Sequence, residues 1–184
     1  AYRWRLIQSG AYTGMVENGL SLKRIVRIGM MTAIIYACKV ALESIPNVEL
    51  VSFLTIMYAI TFGIDAILAV TVFNLLELVQ WGPGTWWISY LYVWPLLAII
   101  TIVLRKKLGN EPLYWAMVSG LFGLIFGSLF AILYIPIDVK YAATYLISGL
   151  PYDVLHCISN FIIMLILFKP INKLLNRVAN MENR

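Results

Sequence analysis

Long apolar segments are the feature that most constrains the fold of this chain. A helix that crosses a lipid bilayer needs about 20 mostly apolar residues. Six stretches reach or approach that length: residues 21–45, 48–62, 64–80, 88–104, 113–135 and 151–168. Charged residues make up 12% of the chain, against about 25% in a soluble domain. Since backbone polar groups must be satisfied within lipid, the sequence predicts an all-α membrane protein with a bundle of six transmembrane helices.

Basic residues predict how the bundle is oriented. They cluster before the first segment, after the fourth and after the sixth: Lys23, Arg24 and Arg27; Arg105, Lys106 and Lys107; Lys169, Lys173 and Arg177. With six crossings all three clusters fall on one side. The positive-inside rule then places both termini in the cytoplasm. We therefore attribute the net charge of +5 to membrane topology and expect no nucleic-acid partner.

The chain is long enough for a single domain. We divide it into a polar N-terminal segment (residues 1–19), a six-helix membrane domain (20–175) and a cytoplasmic tail (176–184). The N-terminal segment has no long apolar core and is not a signal peptide. It is either a vector-derived leader before a native start at Met15 or an arm on the membrane surface.

The sequence contains no motif for binding a metal or a nucleotide. The two cysteines, Cys38 and Cys157, lie in apolar segments without metal-ligand spacing. No GxxxxGK[ST] loop occurs. We expect no catalytic residues, no metal and no cofactor, and any ATPase must be another chain.

Polar residues within the segments concentrate at the end opposite the basic clusters. They are Lys39, Glu43, Asn47, Glu49, Asn74, Glu77, Asp153, His156 and Asn160. Asp65, at the start of the third segment, is the exception. Because ionisable residues are costly within lipid, each is a candidate functional residue. The asymmetry predicts a pocket that opens to the outside.

Two stripes of polar residues are candidates for substrate binding: Asn74 with Glu77, and Asp153 with His156 and Asn160. Each stripe occupies one helical face. The alternative interpretation is a network of hydrogen bonds between helices, which we favour for Asn160. Lys39 and Glu43 are four residues apart, which favours a mutual ion pair near the interface. The alternative is that they line the pocket.

Aromatic residues follow the third segment. The candidates for stacking on a flat substrate ring are Trp81, Trp86, Trp87 and Tyr90. An aromatic belt at the membrane surface is the alternative. Four of the six tryptophans fall within residues 81–94, on one side only, whereas a belt alone is expected on both sides.

Small residues form two further faces. The first segment carries Ala33, Ala37 and Ala41 at four-residue spacing. Such a stripe lets helices approach closely, and it serves either packing within the bundle or docking on another membrane subunit. For the second face, Gly120, Gly123 and Gly127, we expect packing within the bundle.

These features together resemble the substrate-binding S component of an energy-coupling-factor transporter. The AxxxA stripe of that family is matched by Ala33 and Ala37 and extended by Ala41, and residues 45–51 are similar to the family's first outer loop. The resemblance covers residues 20–175.

The resemblance implies a multi-pass protein of the bacterial cytoplasmic membrane that captures a vitamin from outside. It also implies partners: a transmembrane T subunit, on which the alanine stripe docks, and two ATPase subunits. The tryptophan-rich loop is similar to that of S components for a bulky or aromatic vitamin. Cobalamin is the first candidate and a pyridoxine-like or hydroxymethylpyrimidine-like ring the second.

Two other functions fit parts of the sequence. Asp153 and His156 could serve as a general acid–base pair of an intramembrane enzyme, although the chain has a single histidine and no GxSxG or HExxH motif. A structural scaffold subunit would use the polar residues for packing alone. Turnover by the isolated protein would indicate the enzyme, and the absence of small-molecule binding would indicate the scaffold.

Overall fold

A computed structural model of the protein describes residues 21–182. Within this range all regular structure is helical, which confirms the predicted all-α class. The described helices are α1 (Leu22–Leu42), α2 (Val51–Phe62), α3 (Asp65–Trp81), α4 (Thr85–Leu108), α5 (Pro112–Ala131) and α6 (Val139–Glu182), with a 3-10 turn at Ile132–Tyr134 between the last two. The predicted N-terminal segment lies outside the described residues.

Four of these helices are long and apolar enough to cross a membrane: α1, α4, α6, and α5 together with its 3-10 turn. The chain is therefore a multi-pass membrane protein. The other two helices, α2 and α3, have 12 and 17 residues. At 1.5 Å per residue they span about 18 Å and about 26 Å, less than the hydrocarbon core of about 30 Å. Residues 51–59 of α2 are all buried, so neighbouring helices rather than lipid surround most of this helix.

Local cap chemistry sets where two of the helices begin. The hydroxyl of Ser21 accepts a hydrogen bond from the backbone N–H of Arg24 (3.3 Å), so Ser21 is the N-cap of α1. Oδ1 of Asp138 accepts from the backbone N–H of Lys140 (2.8 Å) and of Tyr141 (3.3 Å). Asp138 therefore caps the start of α6.

The last helix is longer than the sequence predicts. The sequence predicts a break between the segments 113–135 and 151–168 and a tail from residue 176. Instead α6 runs for 44 residues through Pro151 and Pro170. A proline inside a helix removes one hydrogen bond and clashes with the preceding turn, at a cost of about 3 kcal/mol. The packing of α6 along α5, the most extensive helix contact in the described fold, outweighs that cost.

The predicted loop at residues 81–87 is also shorter than expected. Helix α3 includes Trp81, and α4 begins at Thr85, which leaves three connecting residues. Gly82 has a φ of 76°, a left-handed conformation that favours glycine. Trp86 and Trp87 consequently lie in the first turn of α4 and not in a loop.

Glycines allow α5 and α6 to touch. A Cβ atom at Gly123 would lie 2.8 Å from the carbonyl carbon and oxygen of His156. A Cβ atom at Gly127 would lie 2.5 Å from Oδ2 of Asp153. These distances confirm that the glycine face packs within the bundle, and they bring the polar residues of α6 against α5.

We call the end of the bundle that contains Arg24, Arg27 and Arg105 the basic end. Contacts of these arginines connect the helices there. Nη2 of Arg24 lies 2.6 Å from Oδ1 of Asp65, and Arg27 pairs with the other oxygen of the same carboxylate. Arg105 donates to the carbonyl oxygen of Ala59 (3.3 Å), in the last turn of α2. Asp65, the exception in the sequence pattern, is thus neutralised by two arginines.

Candidate functional site

The opposite end of the bundle, here called the polar end, contains three neighbouring cavities. The polar end is about 22 Å from the basic end, because Lys39, which lines two of the cavities, follows Arg24 by 15 residues in α1. The tyrosine cavity, of about 530 Å³, is lined by Phe126, Phe130, Tyr141, Tyr145, Tyr152 and Asp153, among others. The loop cavity, of about 260 Å³, has walls that include Asn47, Glu49, Tyr90, Trp94, Phe126 and His156. The tryptophan cavity, of about 290 Å³, is lined by Lys39, Glu43, Glu77, Trp81, Trp86 and Tyr90.

Shared residues join the cavities in a row. Asn47 and Phe126 line both the tyrosine and the loop cavity. Lys39, Glu43 and Tyr90 line both the loop and the tryptophan cavity. The polar end therefore offers adjoining spaces bounded by α1, α3, α4, α5, α6 and the connection between α1 and α2.

Two aromatic ladders meet between these spaces, and five of their six rings line the cavities. On α4 the ladder is Trp86, Tyr90 and Trp94, and on α5 it is Phe122, Phe126 and Phe130. The ring of Tyr90 meets those of Trp86 and Trp94 edge-on, both at 5.4 Å between centroids. The ring of Phe126 lies 5.5 Å from that of Trp94 and 4.9 Å from that of His156. Such a wall offers flat aromatic surfaces to a ring-bearing ligand.

The phenylalanine ladder was missed in the sequence. Phe122, Phe126 and Phe130 recur every four residues, so they share one face of a helix. That spacing was the available signal, but in an apolar segment it is equally typical of ordinary packing.

A buried ion pair lies in the wall of the tryptophan cavity. Nζ of Lys39 is 2.6 Å from Oε2 of Glu77, whose side chain is fully buried. The same ammonium lies 5.4 Å from the ring of Trp81, within range of a cation–π contact. The expected pair between Lys39 and Glu43 is therefore wrong: the lysine reaches across to α3, while Glu43 remains exposed in the wall of the same cavity.

Hydrogen bonds tie the α1–α2 connection to α6. Nε2 of His156 lies 3.1 Å from Oε1 of Glu49, and the hydroxyl of Ser159 donates to the carbonyl oxygen of Asn47 (2.7 Å). The backbone N–H of Ser52 donates to Oε2 of Glu49 (2.8 Å). Burial raises the pKa of Glu49, but His156 and Ser52 together outweigh burial and hold the pKa below its ordinary value. The sequence placed Glu49 at the polar end without identifying its partner.

Asp153 lies in the wall of the tyrosine cavity. Its Oδ1 accepts a hydrogen bond from the backbone N–H of Gly127 (2.9 Å). Its Oδ2 is buried and has no hydrogen-bond partner among the described residues. His156, one turn along α6, lines a different cavity and bonds to Glu49.

Three of the predicted site residues lie outside the three cavity walls. Asn74 donates to the carbonyl oxygen of Tyr90 (2.8 Å), and the indole N–H of Trp87 donates to the carbonyl oxygen of Asn74 (2.8 Å), which ties α3 to α4. Asn160 is 1% exposed, and neither polar atom of its side chain has a partner in the described part of the chain. These contacts favour the interhelical hydrogen-bond network for Asn74, and Trp87 takes part in it. The network that we favoured for Asn160 is not found among the described residues. The other six predicted residues line cavities: Glu77, Trp81, Trp86, Tyr90, Asp153 and His156.

The alanine stripe of α1 faces away from the bundle. Ala33, Ala37 and Ala41 are all exposed, and Gly29 extends the same face. The buried residues of this helix, such as Met31 and Ile35, lie on other faces. The stripe therefore does not serve packing among the described helices.

Comparisons with models of known protein families, with curated proteins and with solved structures found no match to this chain.

Proposed function

We propose that this chain is the substrate-binding subunit of an energy-coupling-factor transporter, which captures a small ring-bearing molecule outside the cell and delivers it to an ATP-driven complex. The single observation that carries the proposal is the row of cavities at the polar end, which is lined by aromatic rings and buried charges. The polar end faces outward in this scheme, because the positive-inside rule assigns the basic end to the cytoplasm.

Cavity size supports a small ligand. Pockets for small molecules commonly enclose about 300–1,000 Å³, and the tyrosine cavity alone has about 530 Å³. A single-ring vitamin fits such a space, whereas the corrin macrocycle of cobalamin exceeds each of the three cavities. The geometry therefore favours the pyridoxine-like or hydroxymethylpyrimidine-like candidates over cobalamin.

The wall chemistry also supports binding without covalent chemistry. Tyr90 and Trp86 present aromatic rings for stacking, and Glu77 and Asp153 carry buried carboxylate oxygens that can accept hydrogen bonds. The enzyme hypothesis has weaker support, since Asp153 and His156 line separate cavities instead of one.

The exposed face of α1 supports a partner subunit. Gly29, Ala33, Ala37 and Ala41 present little side-chain bulk, so a transmembrane helix of a T subunit could approach closely along them. After docking, ATP hydrolysis by the two partner ATPases would drive release of the substrate to the cytoplasm.

A substitution on this face tests the proposal. Ala37→Trp should abolish uptake in cells that contain the partner subunits, because the indole would hold the T subunit away, while binding by the purified protein is retained. The matched control is Leu121→Trp, a lipid-facing position on α5 with 58% exposure, where uptake should be normal. Wild-type uptake by Ala37→Trp, or equal loss in both variants, would refute the docking role.

A further inference from the structure

The wall of the tyrosine cavity contains a carboxyl group with one unpaired oxygen. Asp153 is 5% exposed, and only one of its carboxylate oxygens, Oδ1, has a partner, the backbone N–H of Gly127. The other oxygen, Oδ2, has no hydrogen-bond donor among the described residues. A buried carboxylate is unfavourable unless it is fully hydrogen-bonded or paired with a cation. Oδ2 of Asp153 therefore still needs a cation or a hydrogen-bond donor as its partner.

The packing of α5 against α6 holds this carboxylate in place. A Cβ atom at position 127 would lie 2.5 Å from Oδ2 and 2.9 Å from Oδ1 of Asp153. Only glycine leaves room for the carboxylate there. Since Gly127 and Asp153 both line the tyrosine cavity, the carboxylate is fixed at the cavity wall.

The remaining wall suits a cation. Three tyrosines, Tyr141, Tyr145 and Tyr152, and two phenylalanines, Phe126 and Phe130, line the same space. Aromatic faces attract ammonium and other cationic nitrogen groups. Among the described residues that line this cavity none is Lys, Arg or His. The basic side chain one turn away, His156, is bonded to Glu49.

Taken together, the walls of the three cavities contain more carboxylates than basic side chains. Four carboxylates line the three cavities, against one lysine and one histidine: Glu43, Glu49, Glu77 and Asp153 against Lys39 and His156. Acidic side chains thus outnumber basic ones at the polar end, in a chain whose net charge is +5. A local excess of negative charge attracts cationic ligands and repels anionic ones.

We infer that the tyrosine cavity binds a positively charged nitrogen of the transported molecule, with Asp153 as its counter-ion. This inference rests on the proposed function and narrows it to one class of substrate, a compound that joins a flat ring to a protonated or quaternary nitrogen. The ring lies against the aromatic wall, and the charged nitrogen lies between the carboxylate and the tyrosines.

Three single-ring probes that differ in charge test the inference: benzyltrimethylammonium, benzyl alcohol and benzoate. Each is titrated into the purified full chain in detergent, and the dissociation constant is measured from tryptophan fluorescence. The wild type should bind the cation at least about tenfold more tightly than the alcohol or the anion. Asp153→Asn should lose that preference. The control, Glu111→Gln, removes an exposed carboxylate at the basic end and should leave all three constants unchanged.

The outcomes separate this inference from the proposed function. Equal or tighter binding of the alcohol or benzoate by the wild type, or undiminished preference for the cation in Asp153→Asn, overturns the charge assignment and leaves capture of a ring compound standing. Binding of none of the probes overturns both. Should Asp153→Asn fail to fold, Gly127→Ala replaces it, since the added methyl displaces the same carboxylate. Cation preference must then fall at least about threefold, and an unchanged preference overturns the inference.

Discussion

Replacing Lys39 with Met would leave the Glu77 carboxylate buried without its cation. The two groups lie 2.6 Å apart, and Glu77 is fully buried while the lysine side chain is 22% exposed. Removing one partner of a buried ion pair costs about 3–5 kcal/mol. Because the lysine is partly solvated and the carboxylate can take up a proton instead, we expect a loss of about 2–3 kcal/mol. For a chain of this size that corresponds to a fall in Tm of about 4–12 °C.

The double variant Lys39→Met/Glu77→Gln distinguishes the ion pair from simple loss of packing. It removes both charges, so it should recover most of the stability that the single variant loses. Thermal unfolding in detergent, followed by tryptophan fluorescence, measures all three proteins, with the exposed Lys107→Met at the basic end as a control that should match the wild type. A single variant as stable as the wild type, or a double variant no more stable than the single, would refute the reasoning.

Two more predictions concern the elements around the cavities. In Gly123→Ala the new methyl would lie 2.8 Å from the His156 carbonyl, so α5 and α6 must separate at a cost of about 1–3 kcal/mol. Gly149→Ala has nothing within 4 Å of the new methyl and should unfold at the wild-type temperature or above; equal Tm values for the two variants would contradict the α5–α6 packing. The pKa of Glu49 is lower in the folded protein than its ordinary value of 4.5, so this carboxylate stabilises the folded state. Its contribution is fully present above pH 4.5 and is lost as the pH falls through the folded-state pKa. Glu49→Gln should remove that part of the pH dependence in Tm measurements between about pH 7 and pH 3, and an unaltered acid profile would show that the Glu49–His156 contact does not contribute.

Local chemistry made much of the fold predictable. Apolar length identified the six described helices, of which four are long enough to cross a membrane. The glycine spacing on α5 indicated a packing face. These features depend on residues close together in sequence, so a single chain reveals them.

The length of α6 depended on tertiary contacts instead. Gly149 and Pro151 are typical of a helix break, and the sequence predicts a last span that starts only at Pro151, whereas the helix is continuous through both residues. Packing along α5 overrides that local preference. The cap that marks the true start is Asp138, a residue type common at helix N-termini, which the sequence prediction missed.

The candidate site was predictable in position but not in its pairings. Helical periodicity shows which residues share a face, but it does not show which helix that face meets. Lys39 was therefore assigned to Glu43, on its own helix, although its partner is Glu77 on α3. The contact between Glu49 and His156 joins residues 107 positions apart, and no local pattern predicts such a pair.

Native mass spectrometry of the purified protein tests most directly whether the polar end binds a small molecule. Thr144→Trp fills the tyrosine cavity that Thr144 lines, and Leu121→Trp adds the same side chain on the lipid-facing side of α5. After incubation with an extract of vitamins, the wild type and Leu121→Trp should carry the same ring-bearing compound, and Thr144→Trp should not. A wild type that stays empty, or a compound retained equally by all three proteins, would contradict the account.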